Sequence, residues 1–285
     1  MPPPPQTLAP GNMAAGRPAL ETWAFCGVHP DAPNAERAVQ TLSVKAGIDA
    51  TFGPCMPPDW STYTPAEPGA RYVDPDTYFR LTVLNAGAGM KTVVYDARLW
   101  SNDAAVRDLA ISFWLPHVDW IRAFDMGDEF DPGGSDWAVL IGRWRIMIDQ
   151  VLPATGVGPF TNHLPFAEVL SLALIDMPEQ QSHLSFDSYD EPTALALAAE
   201  FDGQVNHLMC AVNALKHAIY SPTSIQITRH MRNLRAAGAD SFLIFGGATP
   251  YLADLTSDPA FGRSSLFNSD GAPTAWARAV LRGAQ

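Results

Sequence analysis

The sequence predicts an α/β fold, a single-domain (β/α)8 TIM barrel, and three observations support this prediction. The chain has 285 residues, a length that fits one barrel of ordinary size. After residue 20, short apolar runs alternate with amphipathic, helix-like runs, as in proteins built from parallel βαβ units. No GxGxxG motif follows the first apolar run, which argues against the competing architecture, a doubly wound open sheet.

The predicted strands are apolar almost throughout, as expected of parallel strands that are buried on both faces. They lie within residues 22–28, 48–54, 91–100, 121–130, 158–164, 182–190, 207–214 and 240–247. The first predicted helix begins after an asparagine cap, Asn34, and ends at Gly47. Long loops after several strands are expected at the C-terminal face of the barrel, where active sites of this fold are found.

A proline-rich arm, residues 1–20, precedes the barrel, which we place at residues 21–285. Four consecutive prolines follow Met1, and such a run favours the extended polyproline II conformation. The arm has neither the basic nor the apolar region of a signal peptide, so we expect synthesis in the cytoplasm. Because proline fixes φ before binding, we predict that the arm docks onto another protein.

The composition argues against several classes of function. The formal net charge of −12 and the pI of about 4.8 disfavour nucleic-acid partners, because an acidic surface repels phosphates. No apolar run reaches the roughly 18 residues needed to cross a bilayer, so we expect no membrane insertion. Cys26, Cys55 and Cys210 are too widely spaced for a zinc site or a disulfide framework. We expect no metal and no cofactor.

Polar and aromatic residues cluster where the predicted strands end, and in a barrel these ends meet at one face. The third strand ends in Tyr95, Asp96, Arg98 and Trp100, the fourth in Asp125, Asp128 and Glu129, the fifth in Asn162 and His163, the sixth in Asp187, Tyr189 and Asp190, and the seventh in Asn213 and Lys216. Trp60 lies in the long loop after the second strand. The sequence therefore predicts a ligand site at this face.

Two aspartates are predicted to point into the barrel mouth. Side-chain alternation places Ile121, Ala123 and Asp125 on the inner face of the fourth strand, and Asp187 on the inner face of the sixth. Cleavage of a glycosidic bond needs two nearby carboxyl groups, one as acid and one as nucleophile or base. The candidate catalytic residues are Asp125, Asp128, Glu129 and Asp187.

The remaining residues of the cluster are predicted to bind the substrate. They are Trp60, Tyr95, Asp96, Arg98, Trp100, Asn162, His163, Tyr189, Asp190, Asn213 and Lys216. Trp60 and Trp100 follow strands and are candidates for stacking on sugar rings. An acidic residue just after a strand can instead cap the next helix, and Glu191, which precedes Pro192, fits that role.

The run AFDMGDEFDP, residues 123–132, resembles the strand-4 motif of the clan that contains α-glucosidases and α-galactosidases. This resemblance implies that Asp125 is the nucleophile and that Asp187 or Asp190 is the acid/base. The Asp128-Glu129 pair is also similar to the strand-4 end of hexosaminidase-type barrels, where the Glu is the acid and the Asp orients an acetamido group. The commoner retaining barrels carry a Glu after strand 7, whereas AVNALK, residues 211–216, has no carboxylate.

In general character the chain resembles the glycoside-hydrolase-like minor tail proteins of long-tailed bacteriophages. This resemblance implies a protein made in the host cytoplasm, located at the virion tail tip, and facing a glycan of the cell envelope. Its partners would be that glycan and other tail or assembly proteins, which the arm would contact. The alternatives are a free, cytoplasmic bacterial glycosidase and a catalytically inactive barrel with a glycan-binding or structural role.

Overall fold

The structure is a computed structural model and shows the predicted (β/α)8 barrel. It describes residues 20–25, 27–32, 34–53, 74–128, 130–188, 190–213, 223–245, 266–267 and 271–285, without the side chains of Asp128 and Asn213. Eight parallel strands are hydrogen-bonded in the order β5-β4-β3-β2-β1-β8-β7-β6. A parallel bridge between His163 and Phe186 joins β5 to β6, so the sheet closes on itself.

Each strand lies within one of the predicted apolar runs. The strands are β1 (Thr22–Ala24), β2 (Ala50–Phe52), β3 (Lys91–Val94), β4 (Ile121–Asp128), β5 (Pro159–Asn162), β6 (Leu184–Phe186), β7 (Leu208–Asn213) and β8 (Ser241–Phe245). Most are only three to six residues long, and β4 is the longest of them with eight residues. The sequence prediction of fold class is therefore confirmed.

Helices follow the strands on the outside of the barrel. The α-helices are α1 (Ala35–Gln40), α2 (Pro75–Gly87), α3 (Ala104–Trp114), α4 (Ser135–Ile146), α5 (Leu152–Thr155), α6 (Ala167–Asp176), α7 (Glu191–Phe201), α8 (Ser224–Ala236) and α9 (Ala275–Ala284). The first continues as a π-helical turn that ends at Gly47 with φ of 69°, as predicted. Asn34 occupies its N-cap position, but the side chain makes no capping hydrogen bond.

The strands separate two apolar layers. A strand residue that packs in the inner layer points into the barrel, and one that packs in the outer layer points toward the helices. The inner cluster fills the barrel and consists of Trp23, Ala50, Phe52, Val93, Ala123, Phe160, Met209, Ala211 and Leu243. The outer cluster lies between strands and helices, and it includes Phe124, Phe186 and Phe242. These assignments allow the direction of each polar strand residue to be determined.

A β-bulge near the start of β4 corrects one predicted orientation. Thr92 of β3 pairs with Ile121, whereas the next residue of β3, Val93, pairs with Ala123. The extra residue is Arg122, and Ile121 packs in the outer cluster while Ala123 packs in the inner one. Ile121 therefore does not share the inner face with Ala123, because the bulge interrupts the regular alternation.

The lower end of the barrel, at the N-termini of the strands, carries a group of polar and aromatic side chains. Arg122 donates from Nε to Oε2 of Glu21 at 2.8 Å, and its guanidinium lies 5.1 Å from the centre of the Trp23 ring. The rings of His183 and His207 stack with centroids 4.5 Å apart. Burial lowers the pKa of both imidazoles.

Candidate functional site

Asp125 lies on the inner side of β4, as the sequence predicted. Ala123 belongs to the inner cluster, whereas Phe124 and Met126 belong to the outer cluster, so the alternation places Asp125 inward. Its side chain is only 1% exposed, and its Oδ1 accepts a hydrogen bond from the backbone N–H of Gly127 at 3.0 Å. A buried carboxylate needs such partners, and active sites of barrels lie at the C-terminal ends of the strands, so Asp125 is a candidate site residue.

Asp187 follows β6, two strands away from Asp125 in the barrel wall. Leu184 and Phe186 pack in the outer cluster, so the alternation directs Ser185 and Asp187 inward. The backbone N–H of Asp187 donates to the carbonyl of His163 at 2.9 Å, which extends the β5–β6 ladder to this residue. Asp187 is buried.

Asn162 lies on β5, between the strands of the two aspartates, and Ser185 lies on β6, two residues before Asp187. Ser185 Oγ donates to Asn162 Oδ1 at 2.8 Å, and both side chains are buried. We call Asp125, Asn162, Ser185 and Asp187 the polar arc. Ser185 was not among the predicted site residues, although the inward phase that it shares with Asp187 could have identified it.

Aromatic rings lie on the strands opposite β4, β5 and β6 and, at one position, on β5 itself. Phe25, Phe52 and Phe245 belong to β1, β2 and β8 or follow them directly, and Phe160 lies on β5 two residues before Asn162. Ring centroids are 5.4 Å apart between Phe25 and Phe52, between Phe25 and Phe245, and between Phe52 and Phe160. Phe25 and Phe245 are partly exposed at the strand ends, whereas Phe52 and Phe160 are buried below them. We call Phe25, Phe52, Phe160 and Phe245 the aromatic arc. The sequence prediction proposed tryptophans for ring stacking and missed these phenylalanines.

A second bulge shapes the upper end of β4. Asp125 pairs with Phe160 of β5, but the next pair joins Asp128 to Asn162, so β4 uses one residue more than β5. Gly127 lies inside this bulge with φ of 113°, and a Cβ there would approach the Phe130 ring to 2.8 Å. Glycine is required because both the backbone angle and the ring exclude a side chain.

Several predicted site residues lie outside the described part of the chain. They are Trp60, Glu129, Tyr189 and Lys216, together with the side chains of Asp128 and Asn213. Their predicted roles remain predictions. The main chain of Asn213 pairs with Phe245, so this position lies at the C-terminal end of β7 beside the aromatic arc.

The residues that follow β3 pack toward the helices and not into the mouth. Asp96 accepts hydrogen bonds from Arg98 through Nε and Nη2, with the shortest at 2.7 Å, and from Nε1 of Trp114 on α3 at 2.8 Å. Trp100 is buried in the outer cluster, and Tyr95 packs edge-to-face on it at 5.2 Å. β3 ends at Val94 and the chain turns into a 3-10 helix, which gives these residues structural partners. The predicted role of Tyr95, Asp96, Arg98 and Trp100 in binding substrate stays a prediction.

His163 and Asp190 also have structural partners, and their predicted substrate contacts stay predictions. The His163 ring is fully buried, with Nε2 2.7 Å from Oε1 of Gln180 and its centroid 5.9 Å from that of Trp137 on α4. It therefore points into the helical layer. Asp190 is the N-cap of α7, where its Oδ2 accepts from the backbone N–H and the hydroxyl of Thr193. These hydrogen bonds lower the pKa of Asp190.

We expect His163 to make the protein less stable in acid. Burial lowers the pKa of His163 to about 4, below the value of about 6.5 in an unfolded chain. The unfolded chain therefore binds a proton first, so this contribution to stability is complete above pH 6.5 and is lost as the pH falls toward 4. At pH 4.5 the loss amounts to about 2–3 kcal/mol. Urea unfolding of wild type and His163→Gln at pH 7.5 and 4.5 measures it.

The variant should lose less stability than wild type between these two pH values, whatever its stability at pH 7.5. His117→Gln serves as a control, since it removes an imidazole that is only partly buried and stacks on Trp120. Equal pH dependence in His163→Gln and wild type would contradict the assignment.

The part of the chain that the structure describes contains no group of three or more His, Cys, Asp or Glu side chains that could hold a metal ion. Within the same residues, every helix is too short or too polar to cross a membrane.

Comparison with solved structures identifies barrels of the same fold. A family 39 glycoside hydrolase from Bacteroides cellulosilyticus superposes with a TM-score of 0.57 and 11% identity over 93% of this chain. The match covers 64% of that enzyme, so this chain spans less than two thirds of its length. A GH5_18 protein from Streptomyces cattleya in complex with GlcNAc has a TM-score of 0.54 at 12% identity, and covers 93% of this chain and 80% of that one.

Xylanase A of P. fluorescens subsp. cellulosa, in complex with xylopentaose, has a TM-score of 0.55 at 10% identity, with coverage of 94% of this chain and 98% of the xylanase. No protein-family model and no curated protein matches the amino-acid sequence. The chain is therefore a glycoside-hydrolase-like (β/α)8 barrel in fold, and similarities of 10–12% identity carry no further than the fold.

Proposed function

We propose that this protein binds and cleaves a glycan of a bacterial cell envelope at the barrel mouth. The observation that carries the proposal is the division of the mouth into a polar arc and an aromatic arc. A sugar ring has apolar C–H faces and a rim of hydroxyl groups. Phe25 and Phe245 would pack on such a face, and Asp125 and Asn162 would bind hydroxyl groups.

The two inward aspartates would supply the chemistry. In glycoside hydrolysis one carboxyl group protonates the leaving oxygen, and a second attacks the anomeric carbon or activates water. We assign the second role to Asp125, which is fixed by Gly127, and the first to Asp187. Glu129, which follows the upper bulge of β4, is the alternative acid.

The biological setting that we propose is the tail tip of a long-tailed bacteriophage. The support is the resemblance in general character noted above, together with the proline-rich arm. In this setting the arm, residues 1–20, contacts other tail or assembly proteins while the mouth faces the envelope. Because active sites lie at the C-terminal face of a barrel and β1 begins at its opposite end, the two contacts would be separated by the height of the barrel.

A barrel that binds glycan without cleaving it is the second candidate. The specific observation in its favour is the sequence of β7 and the residues after it, Leu208 to Lys216, which contains no carboxylate. The commoner retaining barrels place a Glu at this position. Binding needs only the two arcs, whereas cleavage needs two carboxyl groups at working distance.

The test combines a binding and a cleavage measurement on purified protein. Cosedimentation with insoluble cell-wall polysaccharide and with peptidoglycan measures binding, and release of reducing ends measures cleavage, with xylan as a comparison substrate. We expect Phe25→Ala with Phe245→Ala to weaken binding, and Asp108→Asn, on the outside of α3, to leave it unchanged. Binding with no release of reducing ends would favour the second candidate, and absence of both would refute the proposal.

A further inference from the structure

The two C-terminal helices carry a concentrated positive charge, in a chain whose net charge is −12. Helices α8 and α9 bear Arg229, Arg232, Arg235, Arg278 and Arg282, and neither contains Asp or Glu. Side chains of both helices line a groove of 410 Å³. We call its lining the basic face, which consists of Ile225, Thr228, Arg229, Arg232, Asn233 and Arg282.

The groove is formed by close and direct packing of α9 on α8. Thr228 Oγ1 donates to the carbonyl of Ala279 at 3.0 Å. A Cβ on Gly283 would come within 2.6 Å of the Met231 sulfur, so glycine permits this approach of the two helices. Because the two helices pack directly on each other, the backbone positions that carry the arginines are fixed before any partner binds.

Contacts within the chain use only part of the hydrogen-bonding capacity of the arginines. Arg229 lies 3.7 Å from a carboxylate oxygen of Glu191 and its side chain remains 60% exposed. Arg232 donates one long hydrogen bond, 3.3 Å, to the carbonyl of Arg282. Each guanidinium has five N–H donors, so donors remain for a partner. Arg235, by contrast, binds the carbonyls at the end of α9 and is assigned to helix packing.

We propose that the basic face binds an acidic segment of a protein partner. Carboxylates of the partner would pair with Arg229, Arg232 and Arg282, since the planar guanidinium matches a carboxylate in a two-pronged hydrogen bond. An apolar side chain of the partner would pack on Ile225, which is 76% exposed at the edge of the groove. The acidic surface elsewhere on the protein does not prevent this pairing, because solvent ions screen charges that lie more than about 8–10 Å away.

The chemistry of the groove favours a polypeptide over other anions. Its lining contains an exposed isoleucine but no aromatic ring, so it lacks the stacking surface that binds sugars. A long nucleic acid would extend beyond the groove and meet a surface with net negative charge. A short acidic segment with an apolar residue matches both the charge and Ile225.

The experiment measures fluorescence anisotropy of a labelled nonapeptide made of three Glu-Glu-Leu repeats. We expect the wild-type protein to bind it at low salt and Arg229→Gln with Arg232→Gln to bind it at least tenfold more weakly. The matched control is Arg143→Gln with Arg145→Gln on α4, which removes the same charge from a helix that also carries Asp136. This control should bind like wild type, and the Gln-Gln-Leu peptide should not bind.

Ile225→Ser tests the apolar contact without altering charge, and we expect a several-fold loss of affinity. Equal weakening by both arginine pairs would overturn the proposal, since it would indicate only an effect of net charge. Polygalacturonate or single-stranded DNA binding as tightly as the peptide, at equal charge, would also overturn it. Asp125→Asn should bind the peptide normally, so this inference and the proposed glycan site succeed or fail separately.

Discussion

Replacement of Asp125 by asparagine is expected to lower the rate of glycan cleavage by about 10²–10⁴, the usual contribution of a catalytic acid or base. Asparagine has nearly the same shape and can keep the hydrogen bond from the Gly127 N–H, so the local fold should be retained. It is neutral, however, and cannot act as nucleophile or base. The measurement is release of reducing ends from the best substrate of the wild-type protein, with cosedimentation to follow binding.

The matched control is Asp108→Asn, which removes one carboxylate from the exposed side of α3. We expect wild-type rates for this variant, and a thermal unfolding profile close to wild type for both. A rate for Asp125→Asn within a factor of two of the control would remove Asp125 from the mechanism. If Asp125→Asn cleaves glycan slowly but binds it as wild type does, Asp125 contributes to the chemical step and not to substrate binding.

Replacement of Asp96 by alanine is expected to destabilise the fold by about 2–4 kcal/mol. The change removes an N-cap of the 3-10 helix that follows β3, worth about 0.5–2 kcal/mol. It also leaves the buried indole N–H of Trp114 without its partner, which costs about 1–3 kcal/mol. The ion pair with Arg98 is lost as well, but the Arg98 side chain is 33% exposed and its charge can be hydrated after the change. Urea unfolding at pH 7.5 measures the sum.

Asp103→Ala provides the comparison, because Asp103 also caps a helix but lies exposed at the start of α3. It should cost about 1 kcal/mol, the value of a cap alone. If both variants lose the same stability, the hydrogen bond to Trp114 contributes nothing. If Asp96→Ala unfolds as wild type but fails to bind glycan, the substrate-binding role predicted from the sequence would be supported.

The sequence was sufficient to predict the strands because both layers of the barrel are apolar. A parallel strand that is buried on both faces consists almost entirely of apolar residues. Each of the eight predicted apolar runs contains one strand of the structure. Alternation also predicted the inward direction of Asp125 and Asp187. For Asp125 the two-residue repeat holds only from Ala123 onward, beyond the bulge at Arg122, and for Asp187 it holds from Leu184 onward.

The same reasoning did not extend past the strand ends. Asp96 and Asp190 come directly after strands, but each accepts hydrogen bonds from the first turn of the following helical segment. Such capping depends on the residue at which the strand ends, and the amino-acid pattern does not predict that residue. His163 closes the β5–β6 ladder through its backbone, while Gln180 on another segment holds its ring in the helical layer. A partner 17 residues away in sequence gives no local signal.

The lower bulge of β4 adds one residue to the strand without changing the rest of its pairing with β3. Arg122 is the residue with no counterpart on β3, and removing it would allow Ile121 and Ala123 to pair regularly with Thr92 and Val93. The phase of Asp125 would not change, since Ala123 already lies on the inner side. The positive charge of Arg122 at the lower end therefore depends on the bulge, and deletion of Arg122 would remove this charge while the carboxylate at the mouth keeps its place.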